Sequence, residues 1–156
     1  MIVLRPMSET DFAGFLAYFI PDYAEEIAAN YHLSLEEAVA QAKREIAASL
    51  PDGEKTQGQS LKSIRHTDSG GEQQIGYLWY RANMEDQSAF IYDFYLLPAF
   101  RNRGLGSRAM QSLEALLTGQ GIRQIKLRVA AENAHAKKVY EANGYHVTGY
   151  NMNKLL

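Results

Sequence analysis

The stretch Arg101-Asn102-Arg103-Gly104-Leu105-Gly106-Ser107 carries the chain's strongest chemical signal. It follows an apolar run, Phe90 to Leu97, and a Pro98-Ala99-Phe100 turn, and it opens a segment with helical spacing that continues to about Leu117. A strand feeding a glycine-rich turn and a helix start gathers free backbone N–H groups and the positive end of a helix dipole at one point. Such a point attracts phosphate, and glycine at 104 and 106 leaves no Cβ in the way. A P-loop would end in Gly-Lys-Ser/Thr, whereas Gly104 is followed by Leu105-Gly106-Ser107-Arg108. The dinucleotide fingerprint tolerates Ala109 as its third small residue but needs an acidic residue about 20 positions on. Glu114 comes too early, and Glu132 comes late and beyond the next strand.

Asp93 is the only charged residue between Phe90 and Leu97. Burial without a cation would lift its carboxyl into the range of a general base. Pairing with Arg81 or Arg128 would instead hold it ionised and inert. Glu25 and Glu26 form an adjacent acidic pair that competes for the same role or simply faces solvent. Asn133 and Tyr140 stand two helical turns apart, on one helix face. The histidines at 32, 66, 135 and 146 show no His-x-x-x-His spacing and the chain has no cysteine, so no metal is predicted.

The phrase Leu96-Leu97-Pro98-x-x-Arg101-x-x-Gly104-x-Gly106 resembles the acetyl-CoA-binding motif of the GCN5-related N-acetyltransferases (GNAT family). Downstream, Asn133, Ala136, Lys137, Tyr140 and Asn143-Gly144-Tyr145 resemble that family's closing segment. Tyr23-Ala24-Glu25-Glu26 and Phe90-Ile91-Tyr92-Asp93-Phe94 are similar to a poorly characterised bacterial subgroup.

The resemblance implies acyl transfer from acetyl-CoA to a primary amine. It places the pyrophosphate on backbone N–H groups from Arg103 to Ser107, beside Arg101 and Asn102. It runs the pantetheine arm along the backbone of Tyr95, Leu96 and Leu97 like an added strand, with an N–H near Leu96 polarising the thioester carbonyl. Asn133 and Lys137 are expected to touch the cofactor, although Lys137 and Lys138 equally suit a solvated face. Tyr140 is the expected acid, since a phenol of pKa about 10 suits protonation of a leaving thiolate. Asp93 is the expected base, with Glu26 as its competitor. Tyr23, Glu25, Glu26 and Trp79 are expected at the acceptor site, among the aromatics Tyr31, Tyr77, Tyr92 and Tyr95, each of which suits core packing as well. With no cysteine, direct attack on bound acetyl-CoA is expected rather than a thiol acyl-enzyme. Acceptors in view are a small-molecule amine, a peptide or a protein lysine. The rival readings are a non-catalytic acyl-CoA-binding sensor or interaction module and a nucleotide-binding domain using the same loop. Homodimers are common in the family, and that option stays open.

Positioning these residues requires a sheet. Ile2 to Arg5 reads as a strand. Ser8 suits an N-cap for a helix that Pro21 breaks or restarts. Ser34-Leu35-Glu36-Glu37 is a capping-box pattern opening a helix that ends near Leu50-Pro51. Leu61 to Thr67 and Gln74 to Arg81 flank a turn at Asp68-Ser69-Gly70-Gly71, and Ala89 to Leu97 is apolar on both faces, as in a sheet centre covered on both sides. After the glycine loop come a helix to about Leu117, a strand through Ile125 to Val129, a helix opened by Asn133, and closing strands at Tyr145–Tyr150 and Met152–Leu156. The expected class is α+β: a mixed, mostly antiparallel central sheet flanked by helices on both faces, with one β-α-β crossover.

The totals fit. A chain of 156 residues, 46% hydrophobic, suits a single domain with its own core spanning 1–156. A net charge of −2 without a Lys/Arg run gives no field for nucleic acid. No targeting segment or membrane-length apolar run is present, and a cysteine-free chain is compatible with a reducing cytoplasm.

Overall fold

The computed structural model describes residues 1–156. Strand β1 (Ile2–Pro6) leads into helices α1 (Glu9–Tyr31) and α2 (Leu35–Ser49). Strands β2 (Ser60–Asp68), β3 (Gly71–Asn83) and β4 (Ser88–Leu96) follow, then α3 (Leu105–Gly119), β5 (Gln124–Leu127) and α4 (Ala134–Ala142). Single 3-10 turns lie at Gly53–Lys55 and Pro98–Phe100.

The helix starts are local in origin. Ser8 Oγ accepts from the Asp11 N–H and Asp11 Oδ2 accepts from the Ser8 N–H, both at 3.0 Å, a reciprocal capping box. Ser34 Oγ accepts from the Glu37 N–H at 3.1 Å. Such caps contribute about 1 kcal/mol each. Pro21, expected to interrupt the first helix, lies inside α1 instead. A proline removes one rung of the helical ladder, but packing holds α1 on both sides of it. Before Pro21, Phe15 is fully buried and stacks on Phe19 at 5.1 Å. After it, Ala24 and Ile27 pack on Ala38 and Ala42 of α2.

The strands form one sheet in the order β1-β2-β3-β4-β5, antiparallel except for the parallel β4–β5 pair. Alternation along β3 sends neighbouring residues to opposite faces. Leu78 joins Ile64, Leu105 and Leu113 on the α3 side. Tyr77 and Trp79 join Phe15 and Ile46 on the side of α1 and α2. Helices on both faces of a mostly antiparallel sheet are the expected class.

Three features depart from regularity. Ile64 pairs with Gly76 but Arg65 pairs with Gln74, so Ile75 is an extra residue, a β-bulge in β3. Trp79 pairs with Asp93 but Tyr80 pairs with Ile91, so Tyr92 is an extra residue, a β-bulge in β4. The expected closing strands are absent: residues 145–156 form no helix or strand. The free edge at β5 is four residues long and offers few backbone partners. Gly149, Asn151 and Asn153 interrupt the apolar alternation of the tail, and Tyr150, Met152 and Leu156 stay exposed. No helix is long and apolar enough to cross a membrane.

Candidate active site

The β4 bulge and the short β5 together open the sheet. Strand β5 pairs only with Ser88 to Ile91. Beyond Leu127 the chain leaves the sheet, while β4 continues to Leu96. The Leu97 N–H donates to the Ile75 carbonyl at 2.8 Å, toward β3. By alternation the backbone groups of Leu96 and Phe94 face the other way, into the opening. A cavity of about 1000 Å³ lies here, walled by α1, α2, β3, β4, the chain after β5, and α4.

Asp93 and Tyr140 both line this cavity. Asp93 as a residue is half-buried, but its Oδ2 is fully buried with no hydrogen-bond partner. Burial lifts its carboxyl from the usual range to about 8. Neither Arg81 nor Arg128 pairs with it. Arg128 Nη1 donates to Glu26 Oε1 at 2.9 Å instead. Tyr140 lies on α4, and its phenol is raised by burial first and then by the nearby charge of Asp93 and by Tyr145. Asn133 caps α4, its Oδ1 accepting from the Ala136 N–H at 3.1 Å, and it also reaches the cavity wall.

On the opposite wall stand Tyr23, Glu25 and Glu26 of α1, with Trp79 of β3. Burial, then neighbouring Glu45, push the Tyr23 phenol up to about 12, so it remains neutral. Trp79 is chiefly a core residue: it is buried, its Nε1 donates to Gln59 Oε1 at 2.8 Å, and its ring stacks on Tyr92 at 4.8 Å. Of the remaining aromatics, Tyr77 is buried in the core and Tyr31 is exposed.

The glycine loop lies past the end of β4 and outside this cavity. Asn102 and Gly104 have φ of 60° and 75°, and Gly104 is the N-cap of α3. At Gly104 the left-handed backbone itself favours glycine. The first helical bond runs from the Arg108 N–H to the Gly104 carbonyl at 3.2 Å, leaving the N–H groups from Arg103 to Ser107 without a backbone acceptor. Leu105 offers only its backbone, since its side chain is buried in the core. Arg103 lies over the Phe100 ring at 5.8 Å. Arg101 Nε donates to the Leu96 carbonyl at 2.9 Å, and its guanidinium covers the Tyr95 ring at 5.0 Å. The side chains of Leu96 and Leu97 pack into the cores on opposite faces of the sheet. Lys137 is half-buried and Lys138 exposed on α4, and neither lines the cavity.

In the sequence, Asn143 stands out only as part of the closing motif. Its Nδ2 donates to Ser107 Oγ at 3.0 Å and to the Val139 carbonyl at 2.8 Å, joining the α3 start to the end of α4. Asp22 and Glu45 also line the cavity and were not singled out. Helical spacing from Glu25 and Glu26 would have found Asp22, whereas Glu45 lies on another helix and gave no local signal.

The arrangement is therefore a helix start with free N–H groups, an open strand edge leading away from it, and a buried acid sharing a cavity with a phenol. Those are the parts that acyl transfer from a phosphate-bearing carrier would use. Residues 67–145 match the acetyltransferase (GNAT) family. The chain belongs to that family and is an N-acetyltransferase. It is 34% identical over 157 residues to YycN of Bacillus subtilis strain 168, named an uncharacterised N-acetyltransferase, with 99% of each chain covered. The crystal structure of YycN covers 100% of this chain and 99% of its own at a TM-score of 0.90. YdgE of the same organism, likewise named an uncharacterised N-acetyltransferase, is 29% identical over 155 residues, covering 98% of this chain and 97% of its own. The PaiA N-acetyltransferase of Thermoplasma acidophilum, solved with coenzyme A, shares the fold at a TM-score of 0.68 and 18% identity, covering 97% of this chain and 93% of its own.

Proposed function

We propose that the chain transfers an acetyl group from acetyl-CoA directly to a primary amine, with Asp93 as base and Tyr140 as acid. The observation that carries this reading is that both groups face one cavity beside the open edge of β4, at whose far end lies the unpaired start of α3.

The residues present fit the donor. Free N–H groups from Arg103 to Ser107 and the α3 dipole suit a pyrophosphate, with Arg101 and Arg103 adding positive charge. The backbone of Phe94 to Leu96 offers hydrogen bonds to an extended amide chain, as a neighbouring strand would. There the Leu96 N–H would polarise the thioester carbonyl. Arg101, bound to the Leu96 carbonyl in the free protein, would have to release it for such a chain to pair. Asn133 and Lys137 would border the donor from α4.

Asp93 takes a proton from the incoming ammonium. A carboxyl held near 8 is a strong enough base for that step and is partly ionised at neutral pH. The neutral amine bonds to the acetyl carbon as the carbon–sulfur bond breaks, and the proton that the new amide nitrogen sheds restores the one Tyr140 gives to the sulfur. Tyr140, kept protonated by its raised pKa, gives its proton to the leaving sulfur. Its acidity is tied to its partner: once Asp93 has taken a proton, the charge that opposed ionisation of the phenol is gone. Glu26 is less suited to the base role because it is engaged by Arg128. With no cysteine to form an acyl-enzyme, the mechanism is sequential.

The test is CoA release from acetyl-CoA across a panel of amines, peptides and proteins, for wild type and Tyr140→Phe. A substrate whose kcat falls about a hundredfold in the variant, with acetyl-CoA binding unchanged, supports the acid role. An unchanged kcat removes Tyr140 from the mechanism.

A further inference from the structure

The cavity's charge is lopsided. Asp22, Glu25, Glu26, Glu45 and Asp93 line it, against only Arg81 and Arg128. Asp22, Glu25 and Glu26 stand at i, i+3 and i+4 spacing, so they share one face of α1. Glu45 approaches from α2. Arg128 is taken by Glu26, and none of the molecule's five ion pairs includes Asp22, Glu25 or Glu45. Crowded like charges repel, and the Asp22 carboxyl is raised by burial and then by Glu25, against a smaller lowering by Arg101 from outside the cavity. A second observation belongs to the same space: Asp93 lines it, and its Oδ2 is buried and has no partner. Phe90, Tyr92 and the edge of the largely buried Trp79 line the same cavity, Tyr92 being 44% exposed. Aromatic faces accept both alkyl chains and ammonium groups.

We infer that the acceptor is a small dication: a primary amine presented to Asp93, joined by an apolar spacer to a second positive group held by Asp22, Glu25 and Glu45. This deepens the acetyl-transfer reading and rests on it. The reacting ammonium loses two protons overall, one through Asp93 to water and one to the leaving sulfur by way of Tyr140, as the carbon–nitrogen bond replaces the carbon–sulfur bond. The second positive group is not modified. The product therefore keeps the positive group held by the acidic wall and has lost the one presented to Asp93, so one charged contact remains where the substrate had two.

The experiment compares unbranched α,ω-diamines of increasing chain length with n-alkylamines and ω-amino acids of the same lengths, by CoA release and by calorimetric binding in the presence of CoA. At the best length the diamine's kcat/KM should exceed the monoamine's by about tenfold or more, and the ω-amino acid should be worst. The diamine's advantage should shrink as ionic strength rises and in Glu25→Gln. Monoamines matching diamines, or ω-amino acids outperforming them, would overturn the proposal. The acetyl-transfer reading fails separately: diamine binding without turnover upholds the dication site and removes that chemistry, whereas neither binding nor turnover overturns the site as well.

Discussion

Arg128 Nη1 and Glu26 Oε1 lie 2.9 Å apart, an ion pair between residues separated by 102 positions. It ties α1 to the chain leaving β5 across the cavity. Such a partly exposed pair contributes little stability by itself. Its chief consequence falls on a third residue: Arg128 is engaged elsewhere and Arg81 does not pair with Asp93 either, so burial alone governs that carboxyl.

The rate should therefore follow Asp93. With its carboxyl near 8, kcat/KM should rise tenfold per pH unit through neutrality and level off above about 8. Asp93→Asn should lower the rate and flatten that limb. A wild-type profile in the variant would move the base role to Glu25, Glu26 or water.

The same group makes stability depend on pH with a defined sign. Asp93 ionises near 3.9 in the unfolded chain and near 8 in the folded one. Between these values the folded state holds a proton that the unfolded state lacks. Stability from this residue is complete below about 4 and is lost as pH rises through about 8. Urea unfolding at pH 5 and pH 8 should show a loss on the order of 2 kcal/mol or more at the higher pH. Asp93→Asn should abolish that difference. An equal loss in the variant would assign it to other groups.

Local signals carried much of this far. The caps at Ser8, Ser34 and Asn133 and the glycine at 104 act within a few residues, and each was legible as a short pattern. The apolar run at β4 was legible from its composition, with Asp93 as its one charge, although the strand is buried only at Ser88, Ala89 and Ile91 and opens to the cavity at Tyr92. The continuation of α1 through Pro21 was not legible, since packing around Phe15 and Ala24 outweighs a lost backbone bond. The bulge at Tyr92 had no glycine or charge to announce it. Glu45 reaches the cavity only through the docking of α2 on α1, a relation that no spacing encodes. The tail's apolar residues suggested strands, but a strand needs a partner edge, and β5 supplies only four residues.

Asn143 joins the start of α3 to the end of α4, the two elements that border the proposed donor site. Its amide donates to Ser107 Oγ and to the Val139 carbonyl, and Tyr140 lies one turn before it on the same helix. Asn143→Ala should raise KM for acetyl-CoA about tenfold while changing kcat less. Ser107→Ala should add little on top of it, because both remove one bond. Additive losses, or a fall in kcat alone, would make Asn143 merely a helix-end residue.

Gly106 tests the phosphate loop most directly. A Cβ placed there meets only the Leu96 Cδ1 methyl, at 3.4 Å, and no positive φ demands glycine at this position. The fold should therefore tolerate a larger residue with small side-chain adjustments. The proposed pyrophosphate would have to approach the backbone closely at the start of α3, and a branched side chain at 106 would crowd that approach. Gly106→Val should retain wild-type secondary structure by circular dichroism and a similar melting temperature, yet lose CoA binding by calorimetry. Gly104→Val is the contrasting variant. Its open surroundings offer no clash, but its φ of 75° strains a β-branched side chain, so it should lose stability as well as binding. Unchanged CoA affinity in a folded Gly106→Val protein would remove the pyrophosphate from this loop.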